Sequence, residues 1–264
     1  MKSSAGRIVA VSNQKGGVGK TTTTINLATA LAAADRRVLI IDLDPQGNAS
    51  TSLGIGDDRR SENTYHVLMG EVLLSDAVQI TEIPNLSILA SGMDLAGAEL
   101  ELVDMELREH KLKQAVDSVA DSYDYIMIDC PPSLGLLTLN ALVAAKAVLV
   151  PLQAEFLALE GVSQLIKTID KVRDIFNADL ELQGIVLTMV DRRNSLSDMV
   201  EADVREFFGN KVYSTVVPRN VRVSEAPSHG QPVLLYDFNS KGAQAYLRLA
   251  GEVLRREKEL NNDR

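Results

Sequence analysis

The chain alternates short apolar runs with longer amphipathic segments over most of its 264 residues. The apolar runs are nearly continuous instead of alternating with polar residues, which is typical of strands that are buried on both faces of a parallel sheet. Turn-forming or polar residues separate these runs from the segments after them. The pattern predicts strands at Ile8–Ser12, Val38–Ile41, Leu86–Ala90, Tyr125–Ile128, Val148–Leu152, Ile185–Val190 and Val212–Val217.

Between the predicted strands, apolar residues recur at the spacing of one helix face. The predicted helices are Thr22–Ala34, Leu95–Val119 with a break near Glu109, Leu136–Ala145, Leu157–Phe176, Asp198–Phe208 and Gly242–Leu260. Strands that alternate with helices indicate a doubly wound α/β fold, with a mostly parallel sheet of about seven strands and helices on both faces. We expect one domain over residues 1–264. In such folds, ligands bind at the carboxyl ends of the strands.

Composition narrows the class of protein. The single cysteine, Cys130, excludes a disulfide framework and a cysteine-rich zinc site. The run 141–152 is interrupted by Lys146 and is too short to cross a bilayer, and the first residues lack the apolar segment of a secretory signal. We therefore expect a cytoplasmic protein without membrane association. The net charge of −9 argues weakly against a dedicated nucleic-acid binder, but it does not describe any local patch.

A glycine-rich segment, Gln14–Thr22, lies between the first predicted strand and the first predicted helix. Its glycines allow the backbone to turn tightly and to point N–H groups at a phosphate, and the helix N-terminus adds positive potential. Lys20 can reach the β- and γ-phosphates, and the Thr21 hydroxyl can ligate Mg²⁺. The general phosphate-loop pattern has glycine five residues before Gly19, where this chain has Gln14.

Carboxylates follow two other predicted strands. Asp44 comes after the second strand, where a carboxylate can hold a magnesium-bound water or orient the attacking water, and Pro45 restricts Asp44 to extended backbone. Asp129 ends the strand at Tyr125–Ile128 and resembles the Walker B carboxylate, which holds Mg²⁺ through water. Cys130 is interpreted as a small buried side chain because no base lies near it in sequence.

The segment Lys15–Thr21 resembles the deviant Walker A motif of the ParA/MinD family of ATPases, and the whole chain looks like the ParA/Soj type. The resemblance implies a P-loop NTPase with ATP and Mg²⁺ as cofactors. It is carried by Asn13–Asn26, Asp42–Ser52, Ile128–Ser133, Val190–Asn194 and Val217–Pro227. The implied ATP-binding residues are Lys15, Gly16, Gly17, Val18, Gly19, Lys20, Thr21, Thr22, Pro218 and Asn220, the last two at the adenine.

The resemblance also implies roles in catalysis. Asp44 positions the hydrolytic water, and Lys20 binds the phosphates. Lys15 reaches across an ATP-dependent homodimer to the phosphates of the partner, where it neutralises charge in the transition state as an arginine finger does. The metal is held directly by Thr21 and through water by Asp44 and Asp129.

Four arginines lie in two loops near the ends of the last strands: Arg192, Arg193, Arg219 and Arg222. Basic side chains that neutralise phosphates give salt-sensitive affinity without sequence preference. Together with the resemblance, they predict non-specific binding of double-stranded DNA, with Arg193 and Arg219 as the strongest candidates. The resemblance further implies a DNA-segregation function, hydrolysis stimulated by a ParB-type centromere-binding protein, and association with the nucleoid.

Related functions share this phosphate site. An electron-transfer ATPase similar to the nitrogenase iron protein is excluded, because a cluster that bridges two subunits needs two thiolates from each. A MinD-like ATPase needs a C-terminal amphipathic anchor, whereas residues 242–264 contain no Phe or Trp and end in mixed charge. We expect this segment to pack on the sheet. A membrane- or protein-scaffold-positioning ATPase of the same family remains the alternative.

Overall fold

The computed structural model describes residues 6–155 and 158–262. In these residues one sheet contains seven strands in the order β3-β4-β2-β5-β1-β6-β7. Only β3 is antiparallel to its neighbour, and all other pairs are parallel. The strands are β1 (Arg7–Val11), β2 (Val38–Asp42), β3 (Gln79–Ile80), β4 (Leu86–Leu89), β5 (Tyr125–Asp129), β6 (Ala147–Gln153) and β7 (Glu181–Thr188).

Helices connect the strands and cover both faces of the sheet. They are α1 (Lys20–Ala32), α2 (Asn48–Ser52), α3 (Thr64–Met69), α4 (Leu74–Ala77), α5 (Leu95–Leu102), α6 (Lys111–Asp117), α7 (Leu136–Ala144), α8 (Ala158–Ile175), α9 (Ser195–Phe208), α10 (Val221–Glu225), α11 (Val233–Tyr236) and α12 (Lys241–Asn262). Short 3-10 helices span Asp57–Arg59, Arg108–His110, Ala120–Ser122, Gly209–Lys211 and Ala226–His229.

The buried apolar side chains of the described residues form two hydrophobic cores, one on each face of the sheet. Successive residues of β5 alternate between them: Ile126 and Ile128 belong to the core under α5–α9, and Tyr125 and Met127 belong to the core under α1, α11 and α12. This is the period-two alternation of a strand whose faces are both covered. The predicted doubly wound α/β fold is therefore confirmed.

The C-terminal helix packs against the body of the protein. Tyr246, Leu249 and Val253 of α12 are buried in the core that also contains Leu27 and Leu31 of α1. The apolar face of α12 is thus packed against the core on this face of the sheet, as the sequence predicts. Among the described residues, no helix is long and apolar enough to span a bilayer.

The predicted strand Val212–Val217 is wrong. This segment runs beside β7 but pairs with it only through isolated bridges, Ile185 with Val212 and Val190 with Pro218. The cause lies in the middle of the segment, where the N–H groups of Ser214 and Thr215 donate to the Glu252 carboxylate at 2.7 and 2.9 Å. These donors are therefore not available to a strand ladder.

The seventh strand is instead β3, which the sequence pattern does not predict. It contains two residues, too few to show any periodicity. The long predicted helix over Leu95–Val119 is divided into α5 and α6, which agrees with the expected break near Glu109. Leu157, the first residue of another predicted helix, lies outside the described residues.

Candidate functional site

A cavity of about 510 Å³ opens at the carboxyl ends of the strands. It brings together three separate parts of the sequence: the glycine-rich loop after β1, the segment after β2, and the segment 217–220. Most of the predicted ligand-binding residues line it, namely Gly16, Gly17, Gly19, Lys20, Thr21, Thr22, Asp44, Pro218, Arg219 and Asn220.

The glycine-rich loop has a backbone that only glycine adopts easily. Gly17 and Gly19 have φ angles of 75° and 88°, in the left-handed region. A Cβ atom at Gly16 or Gly17 would meet no heavy atom within 4 Å, so this part of the loop faces open space. Because α1 begins directly after Gly19, the loop and the positive end of the helix form an anion-binding concavity.

Lys20 and Val18 contribute to this loop in different ways. The Lys20 side chain is largely buried, and its Nζ donates to the Lys15 carbonyl at 3.1 Å. Burial lowers the pKa of Lys20, and the nearby carboxylates, led by Asp129, partly oppose that shift. The Val18 side chain is buried in the protein, while its carbonyl accepts a hydrogen bond from Thr188 Oγ1 at 2.8 Å.

Two fully buried carboxyl groups lie side by side below the loop. Asp42 and Asp129 are direct neighbours at the ends of β2 and β5. Burial, and then the charge of Asp42, raises the pKa of Asp129 to about 8. Burial also raises the pKa of Asp42 to about 6, although Ser50 donates two hydrogen bonds to that carboxyl. The positive charge of the surrounding protein therefore does not fully compensate these two carboxyl groups.

The Asp129 carboxyl is only partly satisfied by the protein. Thr24 Oγ1 donates to Asp129 Oδ1 at 3.1 Å, whereas Asp129 Oδ2 has no hydrogen-bond partner among the described residues. Asp129 itself does not line the cavity, but it lies near Lys20, which does. Buried polar atoms are usually paired, so the unpaired oxygen of Asp129 indicates a missing ligand beside Lys20.

Asp44 is held in a defined orientation at the wall of the cavity. Its Oδ1 accepts from the Gln46 N–H at 3.0 Å, and its carbonyl accepts from Ser91 Oγ at 2.8 Å. The residue is 8% exposed, so the carboxylate has little contact with solvent and its orientation is fixed by the Gln46 N–H.

Pro218 and Asn220 are far from the glycine-rich loop along the chain but line the same cavity. Asn220 caps α10, because its Oδ1 accepts from the N–H groups of Arg222 and Val223 at 3.0 and 3.4 Å. The amide NH₂ of Asn220 is therefore the group available to a ligand. Tyr246 of α12 also contributes to the wall.

Lys15 is placed differently from the other residues of the loop. It is not among the residues that line the cavity, and its Nζ lies 2.5 Å from Glu155 Oε1. The side chain is about half exposed. In the single chain, Lys15 is thus oriented outward and paired with a carboxylate of the same chain.

Arg219 lines the cavity, and the loop that carries Arg193 adjoins the Arg219 segment. The Arg219 N–H donates to the Val190 carbonyl at 3.1 Å, which places the loop after β7 against the cavity wall. In that loop Arg193 pairs with both oxygens of Asp191 at 2.9 and 2.7 Å. The hydrogen bonds from Arg193 lower the pKa of Asp191 to about 2.

Arg192 and Arg222, like Arg193, do not line the cavity, and both are ion-paired. Arg192 contacts Asp198 and Glu201, and Arg222 contacts Glu225 and Asp237. Exposed ion pairs of this kind contribute only about 0–1 kcal/mol, so a stronger anion can displace the carboxylates.

Sequence reasoning missed several residues of the site. Asp42 ends β2 as Asp129 ends β5, so the same strand-end signal could have identified it. Thr188 ends β7 in the same way. Thr24 and Ser50 could not be found from sequence, since their roles depend on contacts with carboxylates distant in the chain or on the helix that follows.

Comparison with known proteins agrees with this architecture. A family model described as an AAA domain matches residues 6–182. The chromosome partitioning protein ParA of Caulobacter vibrioides is 58% identical over 96% of this chain and 96% of its own length. The sporulation initiation inhibitor protein Soj of Bacillus subtilis is 51% identical over 94% of this chain and 98% of its own.

Solved structures show the same fold. The cobyrinic acid a,c-diamide synthase of Mycobacterium smegmatis, solved with bound ATP analogue and magnesium, superimposes with a TM-score of 0.84 at 42% identity and covers 96% of each chain. Together, the family model, the near full-length relatives and the site geometry show that the chain belongs to the ParA/Soj family of P-loop ATPases.

Proposed function

We propose that this protein is a DNA-segregation ATPase, which uses ATP and Mg²⁺ to switch between a monomer and a homodimer that binds double-stranded DNA without sequence preference. The observation that carries the proposal is the hydrogen bond from Arg219 to Val190, because it joins the nucleotide cavity to the arginine-bearing loop after β7. A change at the nucleotide is thereby able to move the candidate DNA surface.

The described residues fit a magnesium–ATP complex. The free Oδ2 of buried Asp129 and the cavity-lining side chains of Thr21 and Asp44 supply the oxygen atoms that Mg²⁺ prefers. The raised pKa values of Asp42 and Asp129 indicate a position where a cation would relieve repulsion. A bound Mg²⁺ ion would neutralise charge that develops on the phosphates.

The remaining catalytic work falls to the chain itself. Lys20, at the start of α1, contacts the phosphates from inside the loop, and the fixed carboxylate of Asp44 orients the attacking water. Lys15 leaves Glu155 and reaches the phosphates of a second subunit. Exchange of one anionic partner for a more highly charged one makes this movement favourable only when ATP and the partner subunit are both present.

DNA binding follows from dimer formation. One subunit carries Arg192 and Arg193 in one segment and Arg219 and Arg222 in the segment that adjoins it, and two subunits present the set twice, so the dimer can neutralise more DNA phosphates at once. Hydrolysis returns the protein to the monomer and releases DNA. A ParB-type partner would stimulate hydrolysis and so determine where on the nucleoid release takes place.

The arginine surface can be tested with Arg193→Ala, with Lys113→Ala as the control. Both residues are exposed and ion-paired to an aspartate of the same chain, but Lys113 lies on α6, away from the cavity. We expect Arg193→Ala to weaken binding to an arbitrary duplex in the presence of a slowly hydrolysed ATP analogue. The slope of log affinity against log salt should fall by about one for each arginine lost.

Equal affinity and equal salt slope for the two variants would contradict the assignment of Arg193. If the wild-type protein binds no DNA in any nucleotide state, the proposed function itself is contradicted. Sedimentation with liposomes and a search for protein scaffolds would then test the alternative positioning ATPase.

A further inference from the structure

We infer that Thr188, at the carboxyl end of β7, is a positioning residue for the phosphate-binding loop. The inference rests on the proposed ATP site and assigns Thr188 a role in its affinity for nucleotide. Thr188 acts through the Val18 carbonyl and through packing against Gly19, and it does not take part in hydrolysis itself.

The contact between Thr188 and the loop is specific and buried. Thr188 Oγ1 donates to the Val18 carbonyl at 2.8 Å, and both residues are almost fully buried. The threonine methyl group packs near the next residue of the loop, since a Cβ atom at Gly19 would lie 3.9 Å from Thr188 Cγ2. One side chain therefore holds the loop by a hydrogen bond and supports it by packing.

This hydrogen bond determines the orientation of a peptide that is central to phosphate binding. In a trans peptide, the carbonyl and the following N–H point in opposite directions. When the Val18 carbonyl is held toward Thr188, the Gly19 N–H is turned away from β7. The left-handed backbone of Gly19 then leads directly into α1, so the same peptide also sets the position of the helix N-terminus.

The end of β7 contacts the base side of the cavity as well. The residue after Thr188 is Met189, which has a φ angle of 51° and lines the cavity. Val190 follows and exchanges backbone hydrogen bonds with Val217 and Arg219. Residues 188–190 thus connect the phosphate-binding loop to the opposite wall of the cavity. In this way a side chain of β7 contacts the loop that follows β1.

The test is the affinity for Mg·ATP and Mg·ADP of Thr188→Val, measured by displacement of a fluorescent nucleotide. Valine keeps the shape of threonine but leaves the Val18 carbonyl without its donor. We expect both dissociation constants to rise about ten-fold, since an unsatisfied buried carbonyl disorders the loop. Thr188→Ser keeps the donor and should stay within about two-fold of the wild type on the same argument.

Thr81→Val is the matched control. Thr81 is also buried, and its hydroxyl also donates to a backbone carbonyl, that of Leu86 at 2.8 Å, but it lies at the β3–β4 edge away from the cavity. Thr81→Val should lower the thermal unfolding midpoint to a similar extent without changing nucleotide affinity. If Thr188→Val does not fold, Thr188→Ala carries the same prediction.

The inference is overturned if Thr188→Val binds nucleotide as tightly as Thr81→Val, or if serine fails to restore affinity. DNA binding by the wild-type protein is scored separately. If the wild-type protein binds nucleotide but no DNA, the proposed function is contradicted while the inferred role of Thr188 is unaffected.

Discussion

At the scale of single residues, the carboxyl edge of the sheet combines buried acids with one buried ammonium. Asp44 and Asp129 lie near Lys20, and burial lowers the pKa of Lys20 while it raises the pKa of Asp129. Such an arrangement costs stability in the free protein, and a ligand with complementary charges would recover that cost. Bound magnesium and phosphate would therefore lower the electrostatic free energy of this site relative to the unliganded protein.

Asp44→Ala should abolish the orientation of the attacking water without removing the phosphate-binding loop. We expect the variant to bind ATP, remain dimeric and hold DNA longer, with hydrolysis reduced about 100-fold or more. Phosphate release and dissociation from labelled DNA measure the two effects. Asp121→Ala, at the exposed 3-10 helix Ala120–Ser122, serves as the control, and hydrolysis by Asp44→Ala at the wild-type rate would contradict the assigned role.

Cys130 should be chemically inert in the folded protein. Its side chain is fully buried, and burial, assisted by the nearby Asp129 carboxyl, raises the pKa of the thiol. We expect reaction with a thiol-specific chromogenic disulfide to be at least about 100-fold slower in buffer than in denaturant. Rapid labelling of the native protein would show that the edge of β5 opens to solvent.

Sequence placed residues at the cavity where a side chain belongs to a local motif. The glycine-rich loop and Asp44 are of this kind, and they line the observed cavity, whereas their roles in binding and hydrolysis stay predictions. Sequence reasoning could not find the Lys15–Glu155 pair or the Thr188–Val18 bond, because each joins segments that only the folded sheet brings together.

At the scale of elements, a single carboxylate decides how the last part of the sheet is built. Glu252 of α12 accepts from the Ser214 and Thr215 N–H groups and from Arg256 Nη2 at 2.8 Å. It thereby fixes the segment beside β7 and removes that segment from the strand ladder. The segment leads to Pro218 and Asn220, so α12 contributes to the position of the cavity wall that these two residues form.

Glu252→Gln should lower the free energy of unfolding by about 1–3 kcal/mol at pH 7, because the amide NH₂ cannot accept the hydrogen bond that the second carboxylate oxygen accepts. Burial alone would raise the pKa of Glu252, but the N–H groups of Ser214 and Thr215 outweigh it and the pKa is lowered. A lowered pKa gives stabilisation that is present above the unfolded-state pKa of about 4.3 and is lost as the pH falls further.

The stability difference between Glu252→Gln and the wild type should therefore shrink on acidification, as urea unfolding at several pH values would show. Glu259→Gln makes the same change of charge at an exposed position of α12 and should have little effect. A difference that is constant from pH 7 to pH 3 would contradict the account.

Element prediction worked for long periodic segments and failed for short ones. The helices α1, α7, α8, α9 and α12 were all predicted close to their observed bounds, whereas α2, α3, α4, α10 and α11 were not predicted. Those helices have four to six residues, too few for an apolar face to repeat. The apolar run Val212–Val217 looked like a strand because sequence patterns do not reveal that a distant glutamate binds its backbone.

At the scale of the whole molecule, net charge and local charge point in opposite directions. The chain carries −9 overall, yet four arginines gather around two adjoining loops at the nucleotide end of the sheet. In the single chain, carboxylates of the same subunit pair with three of them. The proposed dependence of DNA binding on a second subunit is consistent with this charge distribution, since doubling the arginine set would strengthen a surface that is weak in one subunit.

Lys15→Ala should separate ATP binding from dimer formation. Because Lys15 lies outside the cavity of its own chain, the variant should bind ATP with nearly normal affinity but fail to double its mass when ATP is added. Light scattering after size-exclusion chromatography measures this. An ATP-dependent dimer that forms and hydrolyses ATP normally would remove Lys15 from the mechanism.

The central claim is that ATP binding creates the DNA-binding form of the protein. Its most direct test is a gel shift with duplexes of unrelated sequence at moderate salt, with no nucleotide, ADP, ATP or a slowly hydrolysed ATP analogue. We expect binding only with ATP and its analogue, equal for all duplexes and lost as salt rises. Binding that is equal in all four states, or absent from all four, would contradict the account.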